Sequence, residues 1–309
     1  IDADINPLQM NYNKFGIRQT ADKAIELYAN KEVKTMSLNI NKRPLKSVNT
    51  LFITGSGGYL GQTLIKMLQP DSYEIVAFDL TKEQTSQLYA SYPNVKCVDL
   101  EDLNSGRFRL GEADFIIHCG FARPHCTKQQ IAESLAFTNK LFGLASLNQV
   151  PAIINISSQA VYGTGQPPLW TEQNPAMPET VYGQAKYASE LMAQNIHLQN
   201  RTSYATSLRL ASLTGGQQGL IPIDIIAKFV NNALQHQPIV IQGGTQKIER
   251  IDVRDAAAAI CELLKTDYRT WKPAYNVGNI IVSVLELANT VQEVASRKYG
   301  LDVQVTVEK

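Results

Sequence analysis

The chain has 309 residues, 44% of them hydrophobic, enough to bury one large core or two modest ones. Its 29 Lys and Arg against 28 Asp and Glu leave a net charge of +1, so no electrostatic argument points to nucleic acid or a membrane surface. No apolar stretch reaches the length of a membrane span. Cys97, Cys119, Cys126 and Cys261 show no paired spacing, so they read as reduced packing residues of a cytoplasmic protein. His118, Cys119, His125 and Cys126 lie close together, but the adjacent His118 and Cys119 point opposite ways at a strand end, so no metal site is expected.

The first residue is Ile1, not methionine, and the expectation is a fragment or a processed product. Residues 20–31 place Ala24, Ile25, Leu27 and Tyr28 at helical spacing, with Thr20 as a candidate N-cap. A polar linker carrying Pro44 follows. From residue 49 strand and helix patterns alternate. Strands are expected at 50–54, 73–78, 95–98, 114–119, 152–157 and 206–210, with helices at 61–68, 81–91, 127–148 and 181–199 between them. That alternation predicts an α/β fold, a Rossmann-like doubly wound parallel sheet. Beyond Leu210 it loosens into helices at 222–235 and 253–265, the second with Asp252 as its cap, a short strand at 239–242, and a last helix at 284–299. The expected organisation is an N-terminal extension over 1–48, a nucleotide-binding domain over 49–210, and a small C-terminal substrate lobe over 211–309 with strands returning to the sheet.

Two motifs carry the chemistry. The first is Thr54-Gly55-Ser56-Gly57-Gly58-Tyr59-Leu60-Gly61, directly after the apolar run Thr50-Leu51-Phe52-Ile53. Gly55, Gly58 and Gly61 have the spacing of a phosphate-binding turn between strand and helix, and the amides near Tyr59 and Leu60 point at a pyrophosphate. An acidic residue, Asp79, follows eighteen positions after Gly61 at the end of the next strand, where a carboxylate accepts both ribose hydroxyls and repels a 2′-phosphate. This favours NAD over NADP, with Lys82 as the nearby residue that keeps NADP open. The second motif is Tyr182-Gly183-Gln184-Ala185-Lys186, preceded by Ser157-Ser158-Gln159-Ala160-Val161-Tyr162-Gly163. Tyr182 and Lys186, at i and i+4, share one helix face. A phenol with a pKa of about 10 becomes a usable base only if nearby positive charge favours its ionised form.

Together these residues resemble the extended short-chain dehydrogenase/reductase family, the NAD-dependent epimerases and dehydratases that include nucleotide-sugar epimerases. The resemblance runs from about residue 49 to about residue 299 and also takes in Glu172, Pro175, Pro178 and Glu190. It implies Ser158, Tyr182 and Lys186 as catalytic residues, with Ser158 hydrogen-bonded to the reacting oxygen and Lys186 also on the nicotinamide ribose. It further implies that Asp99 and Leu100 edge the adenine, and that Ser157, Cys119, Gly120 and Phe121 line the cofactor. Arg123 stands where some epimerases carry a lysine that reaches the pyrophosphate, although a surface arginine explains it equally well. Ser212 replaces the asparagine expected near a substrate diphosphate, and Ile248 lies where a substrate-gripping arginine is usual, which puts the nucleotide sugar itself in doubt. Sugar-nucleotide dehydratases follow the hydroxyl residue with Asp-Glu; Gln159-Ala160 cannot move those protons.

The resemblance therefore implies epimerisation of a nucleotide sugar through a keto intermediate, or net reduction or oxidation of another hydroxyl or ketone. A catalytically silent dinucleotide sensor is the remaining alternative. It also implies a homodimer through the helices at 127–148 and 181–199, where Leu135, Leu141, Phe142, Leu191 and Ile196 either supply the apolar interface or face the sheet. The string Phe15-Gly16-Ile17-Arg18-Gln19-Thr20 and its helix loosely resemble the end of a family member, so residues 1–48 read either as a surface extension or as the remnant of an upstream domain.

Overall fold

The apolar run after residue 48 becomes the middle of a seven-stranded sheet in the computed structural model, which describes residues 49–165, 170–215 and 225–308. The motifs and helix expected within residues 1–48 lie outside them. The first half of the chain alternates as follows: β1 (Asn49–Thr54), α1 (Tyr59–Met67), β2 (Tyr73–Phe78), α2 (Glu83–Leu88), β3 (Val95–Val98), α3 (Leu100–Ser105), β4 (Phe115–His118), α4 (Lys128–Leu147), β5 (Ala152–Ser158), α5 (Val181–Gln199) and β6 (Tyr204–Leu210). A later strand, β10 (Ala274–Val277), adds to β6, and the order across the sheet is β10-β6-β5-β4-β1-β2-β3, all parallel. Strand order reverses between β1 and β4, which opens a crevice at the carboxyl ends of those two strands.

Leu51–Ile53 of β1 and Phe115–Ile117 of β4 are apolar and buried because helices cover both sheet faces, whereas the edge strand β3 exposes Lys96. One helical layer packs Leu141, Phe142 and Ala145 of α4 and Ala193 and Ile196 of α5 onto Phe52, Val76, Phe78, Ile116 and Ile153. Ring stacking of Phe52 on Phe108 (5.3 Å) and of Phe78 on Phe137 (5.5 Å) fills the same layer. Of the two alternatives for the five apolar residues of these helices, Leu141, Phe142 and Ile196 take the core-facing one, Leu135 is half-buried, and Leu191 is exposed.

The described chain divides into two compact units. One holds residues 49–210 and Ala257–Val277; the other holds Ala211–Ala256 and residues 278–308. The second unit contains β7 (Ser212–Thr214), α6 (Ile225–Leu234), β8 (Ile239–Gln242), β9 (Lys247–Asp252), β11 (Ile280–Ser283), α8 (Val284–Tyr299) and β12 (Val305–Glu308). α7 (Val253–Leu264) carries the chain back to the first unit. Within the second unit β7, β9 and β11 form one small sheet and β8 and β12 another, over a core of Phe229, Ile239, Ile241, Val282, Leu287 and Val291. Asp252 accepts from the Arg254 amide at 2.9 Å and so caps the start of α7. No helix among the described residues is long and apolar enough to cross a membrane.

Candidate active site

The glycine turn is shaped by contacts that leave no space for side chains. Gly55 has φ +63°, and a Cβ there would stand 2.6 Å from Gly120 Cα. A Cβ on Gly61 would stand 2.3 Å from the Gly55 carbonyl oxygen, so the first turn of α1 lies directly on the loop. Gly58 occupies the N-cap position of α1 without a side-chain cap, and the first turn holds no acidic residue. An uncapped helix start of this kind offers amides and the positive dipole end to an anion, with Tyr59, Leu60 and Gly61 in its first turn. The loop is fixed from behind: Ser56 donates to the Phe78 carbonyl at 3.0 Å, and the buried Tyr89 hydroxyl donates to the Ser56 carbonyl. These features fit a bound dinucleotide pyrophosphate.

Asp79 follows β2. Its carboxylate accepts from the Gly57 amide at 3.0 Å and from the Leu80 amide at 2.9 Å, so the residue expected to face the ribose also anchors the turn. Lys82 is tied to Asp102 at 2.9 Å and lies 3.8 Å from Asp99. Asp99 is the N-cap of α3 and forms a reciprocal capping box with Asp102, a short helix the sequence reading did not anticipate. Leu100 is half-buried against the core.

At the end of β4 the buried His118 links β1 to α4. Thr138 donates to the Ser134 carbonyl at 2.8 Å, so it receives the Nε2 proton of His118 at 2.8 Å. Nδ1 is then the acceptor for Thr54 Oγ1 at 2.8 Å, and Thr54 Oγ1 in turn accepts the Gly120 amide at 3.1 Å. Burial, with Lys186 adding to it, pushes the His118 pKa down to about 3, which keeps this tautomer neutral. Cys119 is half-buried and its thiol is raised to about 12 by burial, so it is a thiol rather than a thiolate. All four cysteines are free, and no group of three His, Cys, Asp or Glu among the described residues is placed to hold a metal. Arg123 is exposed.

Ser158, Tyr182 and Lys186 come together where β5 ends. Ser158 hydrogen-bonds Tyr182, and its Oγ also accepts the Ala160 amide at 3.2 Å. Lys186 is buried; its Nζ donates to the Ile156 carbonyl at 2.8 Å, lies 3.9 Å from the Phe121 ring centroid and 5.9 Å from that of Tyr182. Burial lowers Lys186 to about 7, against the smaller raising effects of Cys119 and Glu190. Burial also raises Tyr182 to about 12, with the Ser158 hydrogen bond acting the other way. Without a bound cofactor, burial therefore dominates the phenol and holds it in its neutral form.

Beneath these residues lies a network that sequence reasoning missed. Glu190, fully buried, pairs with Arg209 at 2.8 Å and accepts from Ser157 Oγ. Arg209 donates to the Tyr162 hydroxyl at 2.8 Å, which donates to Asn276 Oδ1 at 2.7 Å. The Asn276 amide reaches Glu172 at 2.7 Å. Glu172 and Glu190 were visible as parts of a pattern, but nothing in their spacing showed that they converge on Arg209 and Asn276. In the second unit Ser212 is exposed on β7, Ile248 packs half-buried against the apolar cluster, and Arg250 is buried.

Comparison with known proteins agrees with this architecture. The model of the NAD dependent epimerase/dehydratase family matches residues 51–278. The dTDP-glucose 4,6-dehydratase of Streptomyces griseus is 24% identical over 81% of this chain and 80% of its own. The Escherichia coli dTDP-4-dehydro-6-deoxyglucose reductase is 26% identical over 83% of this chain and 85% of its own. The fold is shared with UDP-glucuronic acid 4-epimerase from Bacillus cereus, solved in complex with NAD, at a TM-score of 0.71 and 18% identity over 84% of this chain and 87% of that one. The chain belongs to the NAD dependent epimerase/dehydratase family, enzymes of the extended short-chain dehydrogenase/reductase type.

Proposed function

We propose that this protein uses NAD to oxidise and re-reduce one hydroxyl-bearing carbon of a nucleotide sugar, and so acts as an epimerase. The observation that supports the reading is the Ser158–Tyr182–Lys186 cluster, held on one side by Phe121 and on the other by the β5 backbone. NAD, when bound, supplies the hydride acceptor and, on return, the donor. The glycine turn and the start of α1 hold its pyrophosphate. Asp79 takes the adenosine ribose, Asp99 and Leu100 flank the adenine, and Cys119, Gly120, Phe121, Arg123 and Ser157 line the remainder. Tyr182 takes the proton from the substrate hydroxyl and Ser158 holds the same oxygen. A phenol at about 12 needs added positive charge to act at neutral pH, and Lys186, titrating near 7, is poised to carry it.

Gln159 and Ala160 provide no acid or base for eliminating water, which favours epimerisation over dehydration. A reductase or dehydrogenase of another substrate is the second reading, favoured by the exposed Ser212 and the apolar setting of Ile248. The three clustered groups argue against a silent sensor. We also propose a cytoplasmic homodimer through the outer faces of α4 and α5, where Leu147, Leu191 and Leu198 are exposed.

The test is to identify by mass spectrometry the nucleotide released from purified protein, then to screen sugar nucleotides for turnover without added cofactor. An epimerase converts substrate with no net growth of reduced-nicotinamide absorbance; stoichiometric growth supports the second reading.

A further inference from the structure

The turn that carries Lys82 borders the Asp79 carboxylate. A Cβ placed on Gly57 would meet Asp79 Oδ2 at 3.1 Å and Thr85 Cγ2 at 3.4 Å, and Thr85 Oγ1 closes back on the Lys82 carbonyl at 3.1 Å. Lys82 thus stands one turn from the group proposed to receive the ribose, with a side chain 41% exposed. A cation in that place is what a 2′-phosphate requires. Here the ammonium is already engaged. Asp102 holds it at 2.9 Å, with Asp99 at 3.8 Å.

Asp102 is well placed for this task. Its side chain is 9% exposed, accepts from Arg107 Nε at 2.5 Å and from the Asp99 amide at 3.3 Å, and its own amide donates to Asp99 at 2.9 Å. It cannot swing away without breaking the α3 capping box. Hydrogen bonds from Lys82 and then Arg107 hold its carboxyl well below the usual range, so it stays charged at any working pH. The cluster sets two cations, Lys82 and Arg107, against three carboxylates, Asp99, Glu101 and Asp102.

We infer that Asp102 is a specificity-determining residue that never touches the cofactor: by holding Lys82 it withdraws a cation from the 2′-position and reinforces the discrimination against NADP begun by Asp79. This rests on the reading of NAD as cofactor and of Asp79 as its ribose acceptor. A merely structural role for Asp102 predicts equal losses for both dinucleotides when it is replaced.

The experiment is a fluorescence titration with NADH and NADPH of the unmodified protein, Asp102→Asn, Lys82→Ala and the double variant. Asp102→Asn is expected to raise NADPH affinity relative to NADH by roughly tenfold, the worth of one charge-assisted contact. The gain should vanish in the double variant and shrink with added salt. Lys82→Ala alone should leave the NADPH-to-NADH ratio unchanged, because that ammonium is not available to the phosphate. An unchanged ratio in folded Asp102→Asn overturns the inference while leaving the NAD reading intact. So does a ratio that falls in Lys82→Ala, an arm that decides the matter even if Asp102→Asn does not fold. Unmodified protein that binds neither dinucleotide overturns the cofactor reading and this inference with it.

Discussion

Arg209 and Glu190 form a buried ion pair at 2.8 Å directly behind Ser157, with the arginine side chain 7% exposed and the glutamate fully enclosed. The pair joins β6 to α5, and through Tyr162 and Asn276 it ties the loop after β5 to β10. Its arrangement explains why Ser158, one residue beyond Ser157, has a fixed place. Arg209→Met leaves a carboxylate buried without its partner and is expected to cost about 3–5 kcal/mol of stability. Urea unfolding measures this; a loss below about 1 kcal/mol contradicts a structural role for the pair.

Gly61→Ala places a methyl group 2.3 Å from the Gly55 carbonyl oxygen, and the clash is with backbone that cannot rotate aside. The turn must open, so cofactor affinity is expected to fall sharply with a measurable drop in Tm. Gly106→Ala is the control: a Cβ there meets nothing within 4 Å, and its φ of +73° is the only source of strain. It should cost about 1 kcal/mol and leave cofactor affinity unchanged. Equal cofactor affinity for Gly61→Ala and the unmodified protein would show that the turn does not hold the pyrophosphate.

Most of the first six strands were legible as short runs of apolar or β-branched residues closed by a turn or helix signal. β9 and β11 were not, because Lys247–Asp252 is mostly charged, Ile280–Ser283 is only four residues long, and their pairing is long-range. α3 was missed because Asp99 and Asp102 read as polar loop until each is seen to cap the other. Ser158, Tyr182 and Lys186 could be named as candidates from spacing and family likeness. The Tyr162–Asn276 bond, by contrast, spans 114 residues and has no local signature.

His118 provides a pH prediction. Its folded pKa of about 3 lies below the ordinary value near 6.5, so between those values the unfolded chain binds a proton that the folded chain does not. The stabilisation is complete above pH 6.5 and is lost as pH falls toward 3. Each unit in that window removes about 1.4 kcal/mol through this residue. Stability measured from pH 7 to pH 4 in the unmodified protein should therefore fall more steeply than in a folded His118→Asn variant. Identical slopes would mean that His118 is not the group responsible.

Lys186, buried and lowered to about 7, changes its ammonium population across neutral pH. If the charged form assists Tyr182, a Lys186→Arg variant that folds should flatten the profile of kcat between pH 6 and 8, since arginine stays protonated. A profile unchanged by this substitution argues that Lys186 acts only by packing and by its bond to the Ile156 carbonyl.

The most direct test of the central claim is kinetic comparison of Tyr182→Phe with the unmodified protein on the substrate found by the sugar-nucleotide screen. The ring keeps its contact with Phe121, while the hydroxyl and its bond to Ser158 are removed. The expected loss in kcat is about 100- to 10,000-fold, with NAD affinity nearly unchanged. Turnover within a few-fold of the unmodified enzyme contradicts it, and Tyr182 would then be a wall of the pocket rather than the group that moves the proton.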